Sequence, residues 1–430
     1  MKLGYFGLAI VGLVFSVAGW AADWPQYAGP NHNRSTPERI QKVFPANGPK
    51  TIWRVPATDG FSSFAVSGGK AFTLVMRNIE GAPRETLVAL DANTGKELWA
   101  QPLGGIKLGD GGEQGAADNN GGDGPRSTPA VDGNRVYVLS AKLMLACFDA
   151  ETGKTVWSHD LIKEHAGRNV SWQNAASPLL EDNRVYVGGG GPGESLLAFD
   201  KADGKLAWKA HDEKITHATP VAATILGQPQ IIFFVQSGLV SVNPTDGKLL
   251  WKHPFGYRTS TAASPVVADD IVYCAAGYGV GAMAVRVSKQ GSGFTAKQLW
   301  ITQGNQPVAN HWSTPVYYKG HLYGMFSFKE YGNGPMKCVE LATGKVKWQQ
   351  PGFGAGQVIL ANDTVLALTD SGELVTVATD PAHYHEISRA KVVAGKCWSS
   401  PTVANGRIYV RSTKEGVCVD AATMDDRIER

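Results

Sequence analysis

The chain has 430 residues, 43% hydrophobic and 18% charged, which is enough material for a large core. A net charge of +3 gives no support to nucleic-acid or membrane-surface binding, which would want a strongly basic balance. Glycine (51) and proline (23) are abundant and long helical periodicity is missing after residue 45, so a helical fold is excluded in favour of short strands and turns.

The first 21 residues are expected to be an export signal: Lys2 supplies the charge, Leu3 to Ala18 the apolar core, and Gly19-Trp20-Ala21 the small residues of a cleavage site. The rival is an uncleaved anchor, but the apolar core is short and carries Gly4, Gly7 and Gly12. No Cys follows it, so a lipid anchor is not expected, and no later segment is apolar enough to span a bilayer. The expected location is periplasmic or extracellular. Residues 22–50, including "ADWPQYAGPNHNRSTPERI", are polar and contain proline, and are predicted to form a strap across the body of the fold.

From residue 51 two phrases alternate. The first is Ser/Thr-Pro, a strand, a tight turn and a second strand, as in "STPAVDGNRVYVLS" and "ASPVVADDIVYCAA". The second is an apolar strand entering Asp-x-x-Thr-Gly-Lys-x-x-x-Trp, as in "LVALDANTGKELW". Its repeat positions are Asp91, Gly95 and Trp99, then Asp149, Gly153 and Trp157, Gly204 and Trp208, Gly247 and Trp251, and Gly344 and Trp348. Between Pro129, Pro178, Pro220, Pro265, Pro315 and Pro401 the steps are 49, 42, 45, 50 and 86 residues. The double step hides a degenerate copy at residues 356–377, and "SSFAVSGGKAFTLV" starts the series. Eight units of four strands result.

That period predicts an all-β fold, an eight-bladed β-propeller, because a lone four-stranded sheet cannot cover both its faces. The Asp caps the turn amides, the Gly supplies positive φ, and the Trp packs on the adjacent blade. The last unit has no Gly-Lys-x-x-x-Trp strand, so "TIWRV" (51–55) is predicted to complete it and close the ring. Residues 51–430 are then one domain.

The repeat resembles that of the pyrroloquinoline-quinone (PQQ) propeller superfamily, which includes quinoprotein alcohol dehydrogenases and the propeller lipoprotein of the outer-membrane barrel-assembly machinery. "DWPQYAGPNHN" with "GPRSTPAVDGNRVYVL" is most similar to exported bacterial PQQ-like propellers, which generally lack an assigned activity. The resemblance covers nearly all of the chain after the signal. It specifies fold more than function.

In such a ring the loops that lead into the innermost strands share one face around the channel, and the Asp-x-x-Thr-Gly-Lys turns share the other. The lead-in loops carry Arg126, Trp172, Asn174, His217, Arg258, His311, Trp312, Lys396 and Trp398. Three Trp, three strong cations and two His at one mouth suit a flat anionic ligand; the alternative is that the rings plug the channel. The superfamily cofactor, PQQ with calcium, is such a ligand. It also implies oxygen ligands for the metal, an Asp base and often an adjacent-Cys disulfide. Asp123 is the only carboxylate close to a Ser/Thr-Pro in these loops, and no adjacent Cys pair exists.

The five cysteines are far apart and are expected to be mostly buried, reduced core thiols, with one disulfide open as an alternative. "GGGGPG" (188–193) is expected to be a hairpin loop, residues 109–124 a flexible insert, and His383-x-His385 surface. No metal site is assigned. The leading expectation is a non-catalytic exported binding or scaffold protein, monomeric, engaging a protein, peptide or glycan at the channel mouth. The alternative is a PQQ-dependent oxidoreductase.

Overall fold

The computed structural model describes residues 22–105, 124–259, 261–305, 307–326 and 329–423. The expected signal at 1–21, Asp123 and nearly all of the insert at 109–124 lie outside these residues. The described chain forms eight sheets; six have four strands in sequential order, and blades 7 and 8 each take in a strand from the N-terminal segment. Blade 2 is representative, with strands Ala130–Asp132, Arg135–Leu139, Met144–Asp149 and Thr155–Asp160. Blade 8 takes Thr402–Ala404, Arg407–Arg411 and Glu415–Asp420 from the C-terminal end and Thr51–Pro56 from the N-terminal end. The predicted closure is therefore present, one residue longer, with Trp53 opposite Cys418.

Strand alternation explains why the core is a ring of layers. Side chains point to opposite faces with period two. In blade 2, Val136 and Val138 pack towards Phe72 and Leu87 of blade 1, whereas Tyr137 and Leu139 pack towards Val185 and Phe199 of blade 3. Both faces of each sheet are thus covered by its neighbours.

The repeated Gly and Trp form one interlock. A register shift just before the Trp, between Thr155 and Trp157 in blade 2, re-aims the ring towards the next blade. Trp99 of blade 1 donates its indole N–H to Ala150 O of blade 2 at 3.0 Å, and Trp157 does the same to Lys201 O at 3.1 Å. Gly153 has φ of 70°, and a Cβ there would lie 2.7 Å from Trp99 Cε3. Gly95, Gly204 and Gly247 meet Trp53, Trp157 and Trp208 in the same way. The expectation that this Trp packs on the adjacent blade holds for these rings. Gly344 meets Trp300, a position that the repeat count passed over. Trp251 departs from the pattern and donates within its own blade, to Gln230 Oε1.

A second interlock lies at the channel and uses hydroxyls just ahead of the innermost strands, most of them followed by proline. Ser400 N donates to Ser63 Oγ, Ser63 N to Thr128 Oγ1, Thr128 N to Ser177 Oγ, and Ser177 N to Thr219 Oγ1, at 2.8 to 3.0 Å. Ser264 N and Thr314 Oγ1 repeat the bond at 2.9 Å. Proline holds the preceding residue extended, which leaves its N–H free to reach sideways. Blade 7 has Gln357 at this point, and there Arg34 reaches in from the strap side. Its Nη2 donates to Val358 O at 2.7 Å and to Ser400 Oγ at 2.8 Å.

Residues 22–50 follow the face that bears the turns. Trp24 bridges Val66 of blade 1, Pro25 O accepts from Val131 N of blade 2, and Gln26 exchanges bonds with Leu180 of blade 3. Ser35–Thr36 then pairs in parallel with Leu360 and Ala361 of blade 7. Glu38 accepts from Asn405 N and Gly406 N of blade 8.

Candidate functional site: the channel mouth

On the opposite face every blade contributes to one pocket of about 140 Å³. The lead-in loops supply Phe61, Arg126, Trp172, His217, Ala262, Trp312, Gln357 and Trp398, in blade order from 1 to 8. Tyr27 of the strap also lines it from the side of the turn face.

The rings pack on one another around the space. Trp312 and Trp398 have centroids 4.6 Å apart, and Phe61 lies 4.6 Å from Trp398 on its other side. Tyr331 stacks within 19° of both indoles. Tyr278 lies edge-on to His311 at 4.8 Å and nearly parallel to Trp172 at 6.3 Å. Trp312 is held by its own indole N–H to Ala355 O, 3.0 Å. Trp398 Nε1 is buried with no protein partner among the described residues.

Charge at the mouth is one-sided. Among the described residues, Arg126 and Lys329 are the charged side chains of the lining. Lys396 stands 4.4 Å above the Trp398 ring and 5.1 Å above Phe61, a cation–π placement just outside the pocket. Both histidines are held neutral. Burial, then Arg126, pushes His217 down to about 4; burial, then His217 and Lys329, pushes His311 down to about 3. His217 Nε2 lies 2.8 Å from Gln173 O, so that nitrogen carries the ring proton.

Backbone strain is concentrated in the same place. Trp172 and Gln173 both have φ of 64°, two consecutive non-glycine residues in the left-handed region. Arg126 Nη1 bonds Trp172 O at 2.6 Å from blade 2, while His217 holds Gln173 O from blade 4. The two neighbours pin a turn that thrusts Trp172 over the mouth.

Of the residues singled out in the sequence, Arg126, Trp172, His217, His311, Trp312 and Trp398 come together in the pocket. Asn174 does not. Its amide is consumed by Ala176 O, Ser140 O and Leu139 O, and it organises the loop. Arg258 lines a neighbouring polar cleft, reached past Trp172. Sequence reading missed Tyr278, Lys329 and Tyr331, which sit in connections between the second and third strands of blades 5 and 6. Those connections open on the same face, and "GYGVG" and "SFKEYGNG" were legible as long ring-bearing loops. Tyr27 was missed because nothing local says which strap side chain enters the channel.

The aromatic and cationic groups match part of what a quinone such as PQQ would need. The rest does not fit. Calcium wants several oxygen ligands, and no carboxylate is among the described residues of the lining. No group of three or more His, Cys, Asp or Glu among the described residues could hold a metal.

The chain matches the family model described as "Outer membrane protein assembly factor BamB" over residues 83–313 and 332–425. It belongs to that family. A relative of that name from Moranella endobia is 24% identical over 277 residues, 61% of this chain and 67% of the relative. The structure of BamB from Moraxella catarrhalis superposes with a TM-score of 0.59 at 15% identity, covering 87% of this chain and 97% of that one. Quinohemoprotein alcohol dehydrogenase ADHIIG from Pseudomonas putida gives 0.52 at 12% identity, covering 93% and 80%. These two likenesses support the propeller fold.

Proposed function

We propose that this family member is an exported binding or scaffold propeller that holds a partner by a ring-bearing anionic group at the channel mouth. One observation carries the reading: rings from most blades surround a pocket whose charged lining, among the described residues, is Arg126 and Lys329. A flat ring gains by stacking there, and its negative charge meets the Arg126 and Lys329 cations of the lining. Relatives named as outer membrane protein assembly factors favour a protein or peptide as the partner.

Titration with benzoate, followed by tryptophan fluorescence, tests the site. Saturable quenching is expected, weaker for neutral benzyl alcohol and weaker again in Arg126→Ala. Equal responses to acid and alcohol would remove the anionic part of the reading. PQQ with Ca²⁺ retained through gel filtration, with dye reduction by alcohols, would replace it by the oxidoreductase.

A further inference from the structure

A polar cleft of about 750 Å³ adjoins the mouth pocket, and Trp172 lines both. The lead-in loops of blades 3, 4 and 5 each give it one cation, Arg168, Lys214 and Arg258. All three are exposed, and none makes an ion pair or a side-chain hydrogen bond among the described residues. Two carboxylates share the cleft without cancelling this charge. Glu213 is spent, since its Oε2 accepts from Ser237 Oγ at 2.6 Å and Lys252 Nζ stands 3.4 Å from its Oε1. Asp212 alone is left against the three cations.

Hydrogen bonds fix the loops that bear these cations. Gln236 N donates to Lys214 O at 2.9 Å, and Gln236 Nε2 donates to Arg258 O at 3.4 Å, so one short connection of blade 4 ties both loops together. Asn169, next to Arg168, donates its amide to Gln173 Oε1 at 2.9 Å and to Ala141 O at 2.8 Å. That bond joins the Arg168 segment to the strained turn at Trp172 and Gln173. The glycine hairpin of blade 3 supplies a further wall. A Cβ on Gly191 would lie 2.4 Å from Ala166 O, so only bare backbone fits there.

A ligand that places a ring in the mouth and continues past Trp172 therefore meets a second, positive site. Exposed ion pairs are individually weak, but three cations against one carboxylate add up to a preference for acid. A polypeptide suits both sites, because flat rings and carboxylates stand side by side along it, whereas a sugar chain carries no flat ring. Ser171, Gln236 and Thr259 in the lining can both donate to and accept from its backbone amides.

We infer that the cleft binds an acidic segment of a polypeptide whose aromatic residue occupies the mouth; the mouth half rests on the function proposed above. Calorimetry of the full chain with an end-blocked peptide, one Phe followed by several Glu, tests it. Saturable binding is expected, weaker as salt rises and about tenfold weaker in Arg168→Ala/Lys214→Ala/Arg258→Ala. The same peptide with Gln for Glu should bind less well and should not distinguish the two proteins. The three side chains are exposed, so the variant should keep its melting temperature and its quenching by benzoate. No saturable binding, equal affinity for the Glu and Gln peptides, or unchanged affinity in the triple variant would overturn the assignment and leave the mouth reading intact. Oligogalacturonate bound more tightly than the peptide, and lost in the triple variant, would overturn it in favour of an acidic glycan. Loss of the Glu peptide in the triple variant, with no benzoate quenching of the wild type, would uphold the cleft and remove the mouth reading.

Discussion

Ser400 N donates to Ser63 Oγ across 2.8 Å, joining the last blade to the first at the channel wall. The two residues are 337 positions apart, and the bond is the ring-closing member of a belt made by the hydroxyls that precede the innermost strands. Close by, Arg411 is fully buried and spans the same seam, donating to Asp59 O at 2.7 Å and to Thr73 Oγ1 at 3.0 Å. Burial lowers its pKa to about 10, still well above neutrality, so the latch stays charged.

Ser63→Ala should expose the worth of the belt. Ser63 and Ser400 are 3% and 2% exposed, so the variant strands a buried N–H. A loss of about 1–3 kcal/mol is expected in urea unfolding. A loss below a few tenths would mean that water or a neighbour replaces the hydroxyl.

Gly153→Ala and Gly133→Ala separate two costs that the sequence runs together. Both glycines have positive φ, 70° and 54°, but a Cβ at Gly133 meets nothing within 4 Å. Gly133→Ala should cost about 1 kcal/mol from backbone strain alone. Gly153→Ala should cost clearly more, because Trp99 must also move. Equal losses would show that the ring yields freely.

Trp172→Gly should split stability from binding. Glycine tolerates φ of 64°, which offsets the loss of a half-buried ring, so stability should change by no more than about 1 kcal/mol. Benzoate affinity should fall at least several-fold. If both properties fall together, the ring is structural.

Acid should loosen the fold through the mouth histidines. In the folded state His217 and His311 sit at about 4 and about 3, below the ordinary 6.5. The unfolded chain therefore binds these protons first as the pH falls. Their contribution is complete above pH 6.5 and is lost on acidification towards pH 4. The slope is at most ~1.4 kcal/mol per pH unit for each, and less for the partly exposed His311. His217→Gln/His311→Gln should flatten the stability profile between pH 7 and 5; an unchanged slope would place the titration elsewhere.

All five cysteines are buried and unpaired. Burial raises the thiols of Cys147, Cys397 and Cys418 to about 12, so thiolate is scarce at neutral pH. Ellman's reagent should find almost none in the native protein and all five after denaturation in urea. Fewer after denaturation would reveal a disulfide.

The blade count, the closing strand at residue 51 and the face carrying the candidate site were legible because each has a local signature repeated at a fixed period. Turn chemistry is written within ten residues, and eight imperfect copies average out the exceptions. The candidate site was legible in part, since unlike residues in like positions stand out against a repeat. Asn174 shows the limit of that signal: a polar residue in the right loop was spent on its own loop's carbonyls. Tyr278 and Lys329 show the other limit, because a second set of loops reaches the same mouth.

By itself the sequence determined the period, the strand alternation and the turn residues, and hence a ring of eight sheets. Only the tertiary structure decided what each repeated residue touches. The Gly of one blade lies under the Trp of the blade before it, and the hydroxyls of Ser63, Thr128, Ser177, Thr219 and Thr314 serve a neighbouring blade's amide. Arg34 fills the place where blade 7 has no hydroxyl, and no pattern near Arg34 or near Gln357 announces that meeting. Such contacts join residues hundreds of positions apart, and they exist only once the ring has closed.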